Sequence, residues 1–217
     1  MAVSQKVIIT CAITGSGHTP SMSPHLPYTE DQVIEQGVAA AEAGATVLHL
    51  HARDSRDGRP TADPAVFATY ARGISDRSDV IISISSGGGT GMTVQERLEG
   101  VLALKPELCT LNLGTRNYGS FPMIDRYQGT FKFDWEEPYL ESTRAEPFIS
   151  TYSDIEYMLK EVGPQTGTRF EAEAYDVGHL YTLAYYLDKG MVRRPSSSRR
   201  SSARWAASAR TSTTSCT

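Results

Sequence analysis

No apolar run in this 217-residue chain is long enough to cross a bilayer, and its first six residues lead into an apolar segment without the regions of a secretory signal. These absences exclude a membrane-spanning role, and the cytoplasm is the expected location. Cysteine is scarce too. Cys11, Cys109 and Cys216 have no paired spacing, which excludes a disulfide framework and a cysteine-rich zinc site. Clustered positive charge is missing from most of the chain: residues 191–217 hold six arginines and no acid, leaving 15 Lys+Arg against 25 Asp+Glu, or −10, for residues 1–190. An acidic body of this kind excludes a general nucleic-acid surface. What remains, 40% hydrophobic and 21% charged, is the composition of a globular domain with a sizeable core.

Along that body, apolar strand-like runs alternate with helix-period segments. Residues 7–13, 46–52, 80–86, 108–114 and 169–175 read as strands. Helices are expected from Thr29 to Gly44, from Pro64 to Ile74, from Thr93 to Leu104, from Ser153 to about Val162, and from Val177 to Lys189. Thr29 with Gln32, and Thr93 with Glu96, have capping-box spacing. Residues 115–150 break the rhythm with many aromatics and read as a long lid or binding loop. Five βα units in alternation imply a parallel sheet. The strand ends carry His49/His51, Ser85/Ser86, Thr110/Asn112 and Glu171/Glu173, so the chemistry is spread over four strands. That distribution favours a TIM (β/α)8-type barrel, incomplete here, over an open doubly wound sheet with one switch point.

The most informative motif is His49-Leu50-His51. Side chains at i and i+2 of a strand share a face about 6.5–7 Å apart, so both imidazoles can reach one metal ion. The alternative is a hydrogen-bonded core histidine beside a general base. Ser85-Ser-Gly-Gly-Gly-Thr-Gly91 lacks the Walker lysine and reads as an anion cradle or a tight turn. Glu171 and Glu173 also share a strand face, where buried carboxylates need a proton, a partner or a cation. Thr110 and Asn112 read equally as site residues or as satisfied strand residues. His18 and His25 read as solvated loop residues, and His179 as a cap or surface histidine.

The segments Ile9-Thr-Cys-Ala-Ile-Thr-Gly15, Gly44-Ala-Thr-Val-Leu-His-Leu-His-Ala-Arg53, Ser85-Ser-Gly-Gly88, Thr110-Leu-Asn-Leu-Gly-Thr115 and Glu171-Ala-Glu-Ala-Tyr-Asp176 together resemble the β-keto acid cleavage enzyme family over about residues 5–195. The resemblance implies a zinc-containing, usually oligomeric TIM barrel that condenses a β-keto acid with acetyl-CoA and releases acetoacetate and a new acyl-CoA. It implies His49 and His51 as zinc ligands, and Ser85 and Gly88 as holders of the substrate carboxylate. It further implies Thr110 and one of Glu171 and Glu173 as lining the substrate pocket. Gly17 stands where the aminohexanoate-cleaving member has a glutamate. The resemblance also implies a third zinc ligand, a catalytic aspartate and an arginine in a later segment, so the catalytic residues are not assigned and the chain is expected to be inactive. The alternative from another class is a non-catalytic metal- or anion-binding barrel fragment. A basic-tail nucleic-acid binder is the third.

Residues 1–195 are accordingly read as a partial barrel domain, and residues 196–217 as a Ser/Arg-rich disordered tail translated out of frame. Back-translated with G/C-rich codons and read one base earlier, the tail becomes FFVQTVFGALGGIGA, an apolar strand followed by a glycine-rich loop. The gene's nucleotide sequence checks this expectation directly.

Overall fold

The computed structural model describes residues 8–89 and 91–192. The amino-terminal lead-in, Cys216 and the Ser/Arg-rich tail with its reading-frame expectation lie outside the described residues. Five parallel strands form the main sheet: β1 (Thr10–Ala12), β2 (Val47–Leu50), β5 (Ile81–Ile84), β6 (Leu108–Asn112) and β7 (Arg169–Glu173). Between β2 and the next helix lies a small antiparallel pair, β3 (Ala52–Arg53) and β4 (Pro60–Thr61).

The main sheet has the order β1-β2-β5-β6-β7, the same as the order along the chain. A doubly wound sheet must reverse direction at a switch point, and this one does not. With right-handed crossovers, an unreversed order puts every connecting helix on one side of the sheet. Among the described residues β1 and β7 each pair on one side only, so the architecture is an incomplete α/β barrel.

The pleat then sorts the side chains. Leu48, Leu50, Ile84, Cys109, Leu111 and Leu113 lie on the helix side. They share one buried cluster with Val33 of α1 (Glu30–Glu42), Phe67, Tyr70 and Ile74 of α2 (Pro64–Ser75), and Leu98 and Val101 of α3 (Val94–Leu104). Ile155 of α6 (Tyr152–Tyr157) and Tyr186 of α8 (Val177–Asp188) complete it. The alternate residues face the other way. His49 pairs in register with Ala12 and Ser83, Thr110 with Glu171, and Asn112 with Glu173, which makes this inner face polar.

Both expected capping boxes form. The Thr29 and Thr93 side chains accept from the backbone N–H groups of Gln32 and Glu96, and those residues reach back to the cap. Thr151 and Asp154 make a third box ahead of α6, and that helix continues through a π-helical turn, Met158–Val162, into α7 (Gly163–Thr166).

Residues 115–150 are not a featureless loop. They contain α4 (Ile124–Tyr127) and α5 (Glu136–Ser142), and they are pinned over the segment that follows β1. Glu136 is fully buried; its carboxylate accepts from Ser21 Oγ at 2.9 Å and from the backbone N–H groups of Ser21, Lys132 and Phe133 at 3.0–3.1 Å. The Trp135 indole donates to Asp57 O and the Tyr139 hydroxyl to Ser16 O. These tertiary ties replace the missing periodicity. Glu136→Ala would strand those donors, and its expected cost is about 3 kcal/mol of unfolding free energy in urea titration. A change below about 0.5 kcal/mol would show that Glu136 does not hold this segment.

Candidate active site

At the carboxyl ends of the strands the polar face opens into a cavity of about 1500 Å³. His49 and His51 stand on its wall with their Nε2 atoms 3.1 Å apart and their rings nearly perpendicular. Burial pulls His49 down to about 4, and burial, followed by the nearby His49 and Arg53, pulls His51 well below the ordinary histidine value. Both imidazoles are therefore neutral near pH 7 and can each offer a lone pair. Two nitrogens about 2.0–2.1 Å from a tetrahedral ion would stand about 3.3 Å apart, close to the separation seen here. The pair thus fits two positions of a metal shell. Among the described residues no cluster of three or more His, Cys, Asp or Glu side chains forms to complete one.

The glycine loop begins where β5 ends. Ser85 N–H continues the ladder to Leu50 O at 3.0 Å, and its Oγ accepts from Gly87 N–H at 3.0 Å. Ser85, Gly87 and Gly88 all line the cavity. Gly88 has φ +55°, and a Cβ there would stand 2.6 Å from Arg97 Cγ, so a side chain at this position is both strained and crowded. Thr110 lies beneath the loop and does not line the cavity. It is buried, its Oγ1 accepts from Ser86 N–H at 3.0 Å, and it supports the loop from the next strand.

The two glutamates separate clearly. Glu173 lines the cavity, with Oε2 accepting from the Tyr175 hydroxyl at 3.3 Å, whereas Glu171 sits one pleat lower and does not line it. Burial raises the carboxyl of each above the ordinary range.

His179, expected as a cap or surface histidine, is neither the cap of its helix nor exposed. Asp176 caps α8 through Gly178 N–H, which places the imidazole three residues later back against Gly114 at the end of β6. His179 is buried, its Nδ1 accepts from Tyr175 N–H at 3.1 Å, and it lines the cavity. His25 is exposed, as expected; His18 is exposed at the cavity wall.

Several contributors carried no sequence signal beyond their type. Arg53, fully buried, donates to Thr14 Oγ1, Gly58 O, Gly15 O and His18 O over 2.5–2.8 Å and so fastens the segment after β1. Burial lowers it to about 10, which leaves it cationic at neutral pH. Arg97 and Arg116 also face the cavity, their guanidinium carbons 4.7 and 4.4 Å from the centre of the Phe148 ring.

Residues 6–200 match the profile of the β-keto acid cleavage enzymes. This chain belongs to that family. The β-keto acid cleavage enzymes similar to it include the 3,5-dioxohexanoate:acetyl-CoA acetone transferase of Paraburkholderia graminis, 48% identical over 195 residues, covering 90% of this chain and 62% of the relative. The 3-keto-5-aminohexanoate cleavage enzyme of Fusobacterium nucleatum is 32% identical over 192 residues, covering 88% of this chain and 61% of the relative. The chain therefore spans about three fifths of the length of these curated relatives. The solved structure of ObcA in ternary complex with a C4-CoA adduct and oxalate superimposes with a TM-score of 0.58 at 18% identity, over 77% of this chain and 35% of that one. At that identity the likeness concerns the fold: the family's barrel architecture accounts for the unreversed sheet.

Proposed function

We propose that this site serves an acetyl-CoA-dependent cleavage of a β-keto acid, R-CO-CH2-COO⁻, with acetyl-CoA giving acetoacetate and R-CO-CoA. The observation that carries the reading is the pair of neutral imidazole nitrogens 3.1 Å apart in a cavity that the glycine loop also lines. A divalent ion suited to imidazole, zinc by preference, would be held by His49 and His51. When bound it would supply Lewis-acid polarisation of the keto oxygen, easing formation of the carbon nucleophile.

The chain's own groups then bind and orient. Ser85 and the backbone at Gly88 receive the carboxylate of the β-keto acid, beside the histidines: a Cβ on Gly87 would lie 3.6 Å from His51 Cε1. Thr110 keeps that loop in place through Ser86. Glu173 and Asn112 line the same wall further along the sheet, beyond the glycine loop. The substrates named for the P. graminis and F. nucleatum relatives are both six-carbon β-keto acids, and we take acids of that size as this site's substrates.

Metal analysis of the purified protein, followed by calorimetric titration with β-keto acids, tests the reading. The expected result is about one zinc per chain and β-keto acid binding that disappears on chelation. A protein that binds no divalent metal at micromolar concentration would refute it. Ser85→Ala is expected to weaken β-keto acid binding about tenfold with zinc content retained, as for loss of one hydrogen bond to a charged group. Unaltered affinity would reduce Ser85 to a turn residue.

A further inference from the structure

His179 enters the cavity with half of its hydrogen bonding left open. Asp176 caps α8 and turns the ring back toward the sheet, where Nδ1 accepts from Tyr175 N–H at 3.1 Å. A ring that accepts at Nδ1 carries its proton on Nε2, so Nε2–H is a donor of fixed position. Gly114 makes that position possible, because a Cβ there would stand 2.5 Å from both Nε2 and Cδ2. Among the described residues Nε2 makes no hydrogen bond. It is also not one of the sealed polar atoms without a partner, which are the hydroxyls of Thr19, Ser83 and Tyr118. The donor therefore opens onto the cavity that His179 lines.

The neighbouring groups answer one another. Arg116 and Glu173 face each other as opposite charges. Arg116 Nη1 donates to Asn112 Oδ1 at 2.8 Å, and the Tyr175 hydroxyl donates to Glu173 Oε2 at 3.3 Å. With cation and carboxylate opposed in this way, the wall formed by β6 and β7 offers an incoming group a hydrogen bond without an excess of either charge. A carboxylate arriving beside His179 would meet Glu173, and an ammonium group would meet Arg116. A neutral carbonyl oxygen meets neither penalty, and it can accept from an imidazole N–H.

The placement of the β-keto acid leaves this wall for the second substrate. The keto oxygen lies at His49 and His51 and the carboxylate at the glycine loop after β5, so the R group extends away from β5, toward Ala12 and the segment after β1. The carbon between the keto and carboxylate groups is the one that becomes nucleophilic, and its new bond forms out of their common plane, on the cavity side. We propose that His179 is a further catalytic residue of this site, donating Nε2–H to the acetyl carbonyl oxygen of acetyl-CoA. As the enolate carbon of the β-keto acid bonds to the acetyl carbonyl carbon, the C=O electron pair moves onto that oxygen, where the donor holds it. When the pair returns, the C–S bond breaks and CoA leaves as the thiolate. The inference deepens the proposed function and rests on it.

The test compares acetyl-CoA with S-ethyl-CoA, in which a methylene replaces the carbonyl, on the zinc-loaded 217-residue protein. By calorimetry, wild type is expected to bind acetyl-CoA about tenfold more tightly, since the ethyl analogue leaves Nε2–H without an acceptor. His179→Phe is expected to bring that ratio to about one. Isotope-edited infrared spectroscopy of bound, carbonyl-labelled acetyl-CoA is expected to place the thioester C=O band lower in wild type than in His179→Phe, a shift that a purely structural role would not produce. His179→Gln returns an N–H donor and is expected to restore part of both the ratio and the shift; it decides the matter should the phenylalanine variant fail to fold. Equal binding of the two ligands by wild type, a ratio and band unchanged in His179→Phe, or a glutamine variant without any ratio would overturn the role of His179 while leaving the proposed function standing. Failure of wild type to bind acetyl-CoA at all would overturn both.

Discussion

His49→Ala and His51→Ala are each expected to lower zinc affinity by more than about 100-fold, since removing a ligand costs more than removing the outer-shell partner of one, itself worth 10- to 100-fold. The physical basis is the shape of the pair. Two imidazoles two residues apart, His49 on β2 and His51 just past its end, converge to 3.1 Å and are kept neutral by burial, so each contributes a lone pair that no neighbour replaces. Metal content after dialysis and competition with a chromophoric chelator are the measurements. The apo forms of both variants should melt close to apo wild type, which separates loss of a ligand from loss of the fold. Full zinc occupancy in both variants would dispose of the metal assignment, and the histidines would then be a hydrogen-bonded pair in the wall of the cavity.

Arg53→Ala should be the most damaging single change to stability, by about 3–5 kcal/mol in urea titration, because it removes the shared donor for four oxygens. Three of those oxygens belong to the segment after β1, from Thr14 to His18, and the fourth to Gly58 of the β3–β4 turn. The site should suffer with the fold: Ser16, Gly17 and His18 line the cavity and owe their path to this guanidinium. Lysine offers three donors on a point charge rather than a fork spanning separate carbonyls, so Arg53→Lys is expected to recover less than half of the loss. Hydrogen exchange should show the segment after β1 opening first. An Arg53→Lys protein within about 0.5 kcal/mol of wild type would mean that charge alone, and not the geometry of the fork, holds this corner.

The sequence by itself determined the five strands of the main sheet, the helices that alternate with them and the faces they bury, because these follow from local periodicity and capping chemistry. The His49/His51 spacing, the glycine loop after β5 and the Thr29 and Thr93 boxes all depend on residues within a few positions of each other, and each appears where the pattern placed it. The tertiary structure decided which strand-end residues meet. Glu171 and Glu173 are equivalent as a pattern, and only the register of β7 against β6 brings Glu173 beside Asn112 in the cavity and leaves Glu171 lower, opposite Thr110. Thr110 became the support of the glycine loop through a hydrogen bond across 24 positions of sequence. His179 was turned inward by the cap of its own helix and by the bare backbone at Gly114, a neighbour 65 positions away. The segment 115–150 has no period because its order comes from a buried carboxylate, an indole and two hydroxyls anchored to remote backbone. Arg53, Arg97 and Arg116 are ordinary arginines until the fold surrounds them. Their roles depend on desolvation and on partners that no local window contains, and that is why the tertiary structure alone could assign them.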